Sequence, residues 1–259
     1  MPTLPQALAA LETLAPLRLS ASWDNTGLLL EGDRLVERAI ATIDLTPSVL
    51  EEALSGGHDL VVAYHPPVFR GLKSITRRTA QGRILLDLAR AGVHVYSPHT
   101  ALDCVVGGLN DWLLEGFGAV ADVRPIEPDP TEPGAGVGRL ATLVEPRPLA
   151  DLVDDLKRFL DLPAVRVAGS PAQRIARVAV CPGAGGSAFE RLRDVDLLLT
   201  GEMRHHDVLA FLALGTATVL TDHTNTERGF LPRYAAKLSA LLGIPVDVAR
   251  TDADPLRVV

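Results

Sequence analysis

The chain alternates short apolar runs with longer segments of helical periodicity. Runs such as Leu60-Val61-Val62-Ala63 are rich in aliphatic residues and bounded by Gly, Pro or polar clusters, which predicts buried strands. Segments such as residues 81–91 place apolar side chains at helical spacing. Because strands and helices alternate, the pattern predicts an α/β fold in which helices flank mainly parallel sheets.

The predicted elements fall into two groups along the chain. The first group is strand 37–46, helix 48–57, strand 59–67, helix 81–91 and strand 93–100. The second is strand 139–145, helix 149–162, strands 164–169 and 174–181, a short helix, strand 196–202, a helix near 208–214, strand 216–224, helix 226–243 and strand 244–250.

Residues 122–138 are dense in Pro, Gly and acids and lack apolar periodicity, so we predict a linker there. The expected domains are an N-terminal α/β lobe over residues 1–128 and a C-terminal α/β lobe over 129–259. In an open alternative, the last helix and strand, about 224–259, pack back on the first lobe.

The two groups look like diverged copies of one unit. The matching segments are 38–41 with 174–177, 59–62 with 196–199, the histidine-bearing strand ends 63–67 and 200–206, and the His-Thr-x-x-acid blocks 99–103 and 223–227. Because these elements recur in the same order, we predict an internal duplication, with a site where the two halves face each other.

Histidines and acids collect at the carboxyl ends of predicted strands, where α/β proteins place their ligands. These residues are His65, His99 to Asp103, Glu202 to His206, and His223 to Glu227. A shell of imidazoles and carboxylates without thiolates suits Zn, Mn, Fe, Co or Ni rather than a structural zinc finger. We expect His58 and His94, in contrast, to be hydrogen-bonded structural residues.

Composition narrows the range of partners and compartments. A net charge of −7 makes nucleic acid an improbable partner. The N-terminus lacks the features of a signal peptide, and no apolar segment is long enough to span a bilayer, so no membrane partner is expected. Cys104 and Cys181 form no C-x-x-C pair and are predicted to be buried, which suits the cytoplasm.

One basic segment stands out in this acidic chain. It carries Arg70, Lys73, Arg77, Arg78 and Arg83. Two interpretations stay open: a solvated loop, or a surface that binds an anionic, phosphorylated substrate by charge-assisted hydrogen bonds. The Gly-rich turn 181–187 lacks the Lys and Ser/Thr of a P-loop, so its glycines are predicted to serve tight-turn geometry.

Five blocks of the sequence resemble a known family. They are SWDNTGLLLEGD, DLVVAYHPPVF, SPHTALD, TGEMRHHD and DHTNTERGFL. In order and spacing they resemble the NIF-three-like family, also called GTP cyclohydrolase 1 type 2, over nearly the whole chain. The resemblance implies two similar α/β lobes with a metal site between them, and a homohexamer.

The resemblance also implies a ligand set. Carried over by position, His65, Asp103 and Glu227 hold one metal, while His223 and a shared Glu227 hold a second. Tyr64 stands where the family has a histidine. Either the phenolate binds the metal, or Tyr64 only packs and leaves one well-held and one weak position. We favour the second outcome, so one or two divalent metals per chain are expected.

Other polar residues at this edge are expected to orient ligands or contact substrate, namely His99, Glu202, His205 and His206. One of them would act as general acid or base.

The leading hypothesis is a metal-dependent hydrolase of the GTP cyclohydrolase 1 type 2 family. It would act through metal-bound water on a small anionic or nucleotide-like molecule. The alternative is a non-catalytic metal-binding regulatory or interaction protein.

Overall fold

The computed structural model describes residues 2–258 and divides into two compact units. The first unit is the chain up to Leu102 together with Phe230–Pro255, and the second is Asp103–Gly229 together with the residues from Leu256 on. The predicted border after residue 128 therefore lies inside the second unit, and the last helix and strand belong to the first. Helices flank a sheet in each unit, so the α/β class is confirmed.

Helices and strands alternate along most of the described residues. In chain order, the α-helices are α1 Leu4–Leu14, α2 Pro47–Ser55, α3 Ala80–Arg90, α4 His99–Cys104, α5 Leu109–Leu114, α6 Leu149–Phe159, α7 His205–Ala213 and α8 Leu231–Leu242. The strands are β1 Gly27–Leu30, β2 Ala39–Thr42, β3 Leu60–Ala63, β4 His94–Ser97, β5 Val120–Arg124, β6 Glu127–Pro128, β7 Gly136–Val137, β8 Arg139–Pro148, β9 Arg166–Ala168, β10 Arg174–Val180, β11 Leu197–Thr200, β12 Ala217–Leu220 and β13 Val246–Val248. Short 3-10 helices cover Leu17–Leu19, Glu115–Phe117, Gly185–Phe189, Thr224–Thr226 and Arg228–Phe230.

The sheet of the first unit has the order β1-β4-β3-β2-β13. Strands β13, β2, β3 and β4 run parallel, and β1 joins β4 antiparallel. All residues of β2, β3 and β4 are buried, because helices cover the sheet. Ile40, Val61 and Val95 pack in one core cluster with Val49 of α2 and Leu88 of α3. This core holds the strand ends in fixed positions.

Two threonines begin the helices that follow β2 and precede β4. The Thr46 side chain accepts a hydrogen bond from the Val49 backbone N–H, and Pro47 occupies the first turn of α2. The Thr79 side chain accepts from the Gly82 backbone N–H at the start of α3. Both helices therefore begin within one residue of the starts that the sequence pattern predicted.

The sheet of the second unit has the order β5-β8-β10-β11-β12-β9. Strands β10, β11 and β12 run parallel, whereas β8 and β9 pair antiparallel with β10 and β12. Residues 122–138, which were predicted as a linker, contain the end of β5 and the strands β6 and β7. Strand β5 pairs with β8, and β6 and β7 form a small antiparallel pair. The apolar signal was missing because β5 is an edge strand with mostly exposed side chains.

Four neighbouring strands have the same arrangement in the two sheets, although the duplication itself stays a prediction. The order β9-β12-β11-β10 has the same strand directions as β1-β4-β3-β2. Asp59 Oδ2 accepts hydrogen bonds from the backbone N–H groups of Glu37 and Arg38 at 3.0 and 3.1 Å. Asp196 Oδ2 accepts from those of Ala176 and Arg177, both at 2.8 Å.

This shared aspartate contact corrects the predicted alignment. Arg38 corresponds to Arg177, three residues beyond the predicted Arg174, because the strand registers pair Ala39 with Leu60 and Val178 with Leu197. Comparison of residue types alone could not detect this shift, because β10 begins at Arg174, whereas its pairing with β11 begins only at Val178.

Among residues 2–258, the helices are too short or too polar to cross a lipid bilayer.

Candidate metal site

His65 follows directly after the buried strand β3 in the first unit. Its Nδ1 lies 2.9 Å from Asp44 Oδ1, and its backbone N–H donates to the Ile43 carbonyl. A carboxylate on one ring nitrogen fixes the tautomer and orientation of an imidazole, as it does for many metal-binding histidines. Nε2 is therefore the nitrogen through which His65 could bind a metal.

His99 begins α4 and is oriented by a buried carboxylate. Its Nδ1 lies 2.8 and 2.9 Å from the two oxygens of Asp24, whose side chain has no exposed surface. Asp24 also accepts from the backbone N–H and the hydroxyl of Thr100 at 3.2 and 2.5 Å. Burial alone raises the pKa of Asp24, but the hydrogen bonds from His99 and Thr100 outweigh burial and hold the pKa below its usual value.

Asp24 was not predicted as a site residue, although it lies in the SWDNTG block. Tyr64, which was predicted as a candidate ligand, is 2% exposed. Its ring centroid lies 5.0 Å from that of His65 and 5.4 Å from that of His99. The ring of Tyr64 therefore packs against two imidazoles, while its role as a metal ligand stays a prediction.

In the second unit, a 3-10 helix brings His223 and Glu227 to the same side of the chain. His223 Nε2 lies 3.5 Å from Glu227 Oε1, and His223 Nδ1 lies 3.1 Å from Glu202 Oε1. Glu227 is only 2% exposed, so its carboxylate is buried beside the imidazole. Buried carboxylates occur where a cation or hydrogen bonds compensate their charge. His223 and Glu227 are the two residues that were expected to hold the second metal, and their roles as ligands stay predictions.

Gly183 makes room for these two side chains. A Cβ at this position would lie 2.9 Å from both Glu227 Oε1 and His223 Nε2. Its φ of +59° is also in the left-handed region that favours glycine. The Gly183 backbone N–H donates to Thr226 Oγ1 at 2.8 Å, and its carbonyl accepts from the Glu202 backbone N–H at 2.9 Å.

The turn over residues 181–187 therefore has the tight geometry predicted for it. Its glycine also keeps a space beside a histidine and a buried carboxylate, where metal ligands were expected. Sequence reasoning missed this role, because the turn precedes His223 by many residues and only the fold brings them together.

Two further histidines have structural partners, as predicted. His58 Nδ1 lies 3.0 Å from the Ala53 carbonyl and its Nε2 lies 2.9 Å from Asp247 Oδ2. His94 Nδ1 lies 2.9 Å from the Gly32 backbone N–H, and its Nε2 lies 2.9 Å from a backbone carbonyl. Neither ring is available to a ligand.

The other candidates occupy different settings. His205 and His206 begin α7, are exposed, and have ring centroids 5.5 Å apart. Asp103 is partly buried, and its carbonyl accepts from the Asn110 side-chain amide at 3.0 Å. The catalytic roles of His99, Glu202 and His206 and the ligand role of Asp103 stay predictions. Cys104 and Cys181 are both buried, as predicted, and burial raises the pKa of the Cys181 thiol.

His223 and Glu227 of the second unit are donors that could hold a metal ion, and His65 of the first unit is a further donor of this kind. Two imidazoles and one carboxylate are donors that suit Zn and other divalent transition metals. The donor set and the space beside Gly183 thus fit the type of ion expected from the sequence.

Comparison with known proteins identifies the family. The sequence model of the Duf34/NIF3 (NGG1p interacting factor 3) family matches residues 2–255. The chain belongs to this family. It is 41% identical to the Protein NIF3 homolog of Schizosaccharomyces pombe, over 95% of this chain and 94% of the relative. It is 30% identical to the GTP cyclohydrolase 1 type 2 homolog of Clostridium perfringens, over 96% of this chain and 97% of the relative.

Solved structures of other proteins share the fold. A Bacillus cereus protein related to NIF3 superposes with a TM-score of 0.90 at 18% identity, covering 100% of this chain and 99% of its own. Reduced HcgD from Methanocaldococcus jannaschii gives a TM-score of 0.83 at 24% identity, covering 96% of this chain and 98% of its own. At these identities the likeness concerns the fold alone.

Proposed function

We propose that this protein is a metal-dependent hydrolase that acts on a small anionic or nucleotide-like molecule. In this proposal His65, His223 and Glu227 hold one divalent metal, and Asp103 is a further ligand. The observation that carries it is the buried Glu227 carboxylate 3.5 Å from His223 Nε2, with Gly183 keeping the adjacent space open. Water activation by a Lewis acid is the chemistry that a divalent metal supplies when bound.

The protein's own residues would orient the ligands and move protons. Asp44 and Glu202 each hold the Nδ1 of a candidate ligand histidine, which directs Nε2 of that ring toward the metal. His99 is the best-held candidate for proton transfer, because Asp24 fixes its ring from a fully buried position. Glu202 and His206 are further candidates for this role.

The basic segment supports an anionic substrate only in part. Arg77 pairs with Asp87, and Arg83 donates to the Arg77 carbonyl at 3.0 Å, so both of these cations are engaged within the fold. Arg70 and Lys73 are exposed. We propose that these two attract the phosphate of a substrate. The name of the Clostridium perfringens relative is consistent with a nucleotide.

The metal proposal is tested by elemental analysis of untagged protein after dialysis with Zn or Mn. We expect about one metal per wild-type chain. The variant Glu227→Gln should lose it, because the amide cannot offset the charge of the cation. Glu190→Gln changes an exposed carboxylate of the same unit and should keep the metal. Equal metal content in both variants would refute the proposed ligand set.

Hydrolysis is tested separately on a panel of nucleotides and phosphoesters with the metal-loaded protein. Turnover that disappears in both Asp103→Asn and Glu227→Gln is the expected result. Full metal loading without turnover on any substrate would instead support the non-catalytic, metal-binding alternative. That alternative is favoured by the buried Tyr64 ring, which occupies the position of a family histidine.

The number of metals depends on Tyr64 in this proposal. Replacing Tyr64 by His should raise the bound metal toward two per chain, because an imidazole is a better ligand than a phenol near neutral pH. Tyr64→Phe is the matched control and should leave the stoichiometry unchanged. The same stoichiometry in both variants would count against a second, weakened position. We also propose a cytoplasmic homohexamer, and light scattering on the purified protein would test its subunit number.

A further inference from the structure

Two exposed aromatic side chains stand beside His99 in the first unit. Trp23 is 64% exposed and Phe69 is 45% exposed. Their ring centroids lie 6.0 Å apart, and each lies 6.2 to 6.3 Å from that of His99. All three pairs are edge-to-face. Much of the indole surface of Trp23 is therefore open to a ligand, and we call Trp23 and Phe69 the aromatic platform.

Hydrogen bonds from partly buried residues hold the backbone on both sides of this platform. Asp24, next to Trp23, is bound to His99 and Thr100. The Asn25 side-chain amide donates to the Val68 carbonyl, next to Phe69, and the Gln81 amide donates to the Pro67 carbonyl at 2.5 Å. Exposed aromatic rings on such a fixed backbone are a feature of binding surfaces, because little conformational entropy is lost when a ligand stacks on them.

Charge indicates which aromatic ligand would bind. Arg70 directly follows Phe69, and Lys73 lies three residues further along the same exposed segment. The chain as a whole carries a net charge of −7, so the charge of this segment is opposite in sign to that of the chain. A planar ring with an attached phosphate combines both complementary features. Base stacking on aromatic side chains and charge-assisted contacts from Arg and Lys are the usual means of binding such molecules.

We propose that the aromatic platform stacks the base of a nucleotide, while Arg70 and Lys73 contact its phosphate. This inference deepens the proposed function, since it rests on a nucleotide-like substrate and names the residues that select one. It assigns a specificity role to Trp23 and Phe69, neither of which belongs to the proposed metal centre.

The test is a fluorescence titration of a Trp112→Phe background, in which Trp23 is the sole tryptophan. GMP and AMP should quench Trp23 at saturable concentrations, whereas ribose 5-phosphate should not. Calorimetry of Trp23→Ala, which has no tryptophan signal in this background, should show GMP binding weakened about tenfold or more, and Trp23→Phe should recover most of it. Leu35→Ala alters another exposed apolar residue of the unit and should bind as wild type does.

Repeating the titration with EDTA-treated protein and with Glu227→Gln separates this inference from the metal proposal. Quenching that persists there supports the platform even if the metal assignment fails. Equal quenching by ribose 5-phosphate, or unchanged GMP affinity in Trp23→Ala, overturns the platform while leaving the metal proposal intact. A change of oligomeric state in Trp23→Ala, together with shielding of Trp23 from acrylamide in the wild type, overturns it in favour of an interface between copies.

Discussion

Glu52 of α2 fixes the chain segment that follows β13, and its replacement tests how strongly. Its carboxylate accepts from the backbone N–H of Arg250 at 3.0 Å and from that of Thr251 at 2.9 Å. It also accepts from the Thr251 hydroxyl at 2.8 Å. The Glu52 side chain is 12% exposed. The variant Glu52→Gln keeps the shape and helix propensity of the residue but removes the charge.

The magnitude follows from the pKa of Glu52. Burial raises this pKa, but the hydrogen bonds from Arg250 and Thr251 outweigh burial and lower it from 4.5 to about 2. A shift of this size corresponds to roughly 3 kcal/mol, which we reduce to about 2 kcal/mol because the Arg250 side chain is in solvent. Because the folded-state pKa is depressed, this stability is fully present above pH 4.5 and is lost as the pH falls through 2.

Urea unfolding followed by circular dichroism measures the effect. At pH 7 we expect Glu52→Gln to lower the free energy of unfolding by about 2 kcal/mol, and at pH 3 the loss should be less than half as large. Glu51→Gln, on the exposed side of the same helix, should change it by less than about 0.5 kcal/mol. Equal effects of the two variants, or a Glu52 effect that does not depend on pH, would refute the reasoning.

Three further predictions concern other parts of the chain. Gly183→Ala should reduce metal binding at least about tenfold in calorimetry, because its Cβ would lie 2.9 Å from two proposed ligand atoms. Gly186→Ala is the control and should bind metal as wild type does, because its Cβ would meet nothing nearer than 3.6 Å. Asp111→Ala should lower the free energy of unfolding in urea by about 3 kcal/mol, because it removes the carboxylate 2.6 Å from the buried Arg139 guanidinium. An unchanged unfolding midpoint would show that the backbone carbonyls bound to Arg139 are enough to stabilise its charge. Thr79→Ala should cost about 1 kcal/mol by removing the N-cap of α3, and Thr79→Ser should restore it.

The order of strands and helices was predictable from local patterns. Strands β2 and β3 are buried along their whole length, so each appears in the sequence as a largely apolar run. The side chains of Thr46 and Thr79 cap the starts of α2 and α3, and each accepts a hydrogen bond from a residue only three positions away. The edge strand β5 escaped prediction, because its exposed side chains give no apolar signal.

The candidate site was predictable only as a set of strand-end residues. His65, His223 and Glu227 could be named because chemistry-bearing residues follow buried strands, and the repeated blocks drew attention to them. Glu202 was expected to orient a ligand, but its pairing with His223 and the contacts of Asp24 with His99 and of Asp44 with His65 could not be predicted. Asp24 lies 75 residues from His99 and Glu202 lies 21 residues from His223, and no periodicity links such pairs.

The sequence by itself determined which elements form, in what order, and which residues stand at the strand ends, because these properties depend on neighbouring side chains. Only the tertiary structure decided the register that equates Arg38 with Arg177, the return of β13 to the first sheet, and the space that Gly183 leaves beside His223. These features depend on hydrogen bonds and close contacts between residues distant in the chain. Local hydrophobic patterns carry no information about such contacts until the sheets have formed.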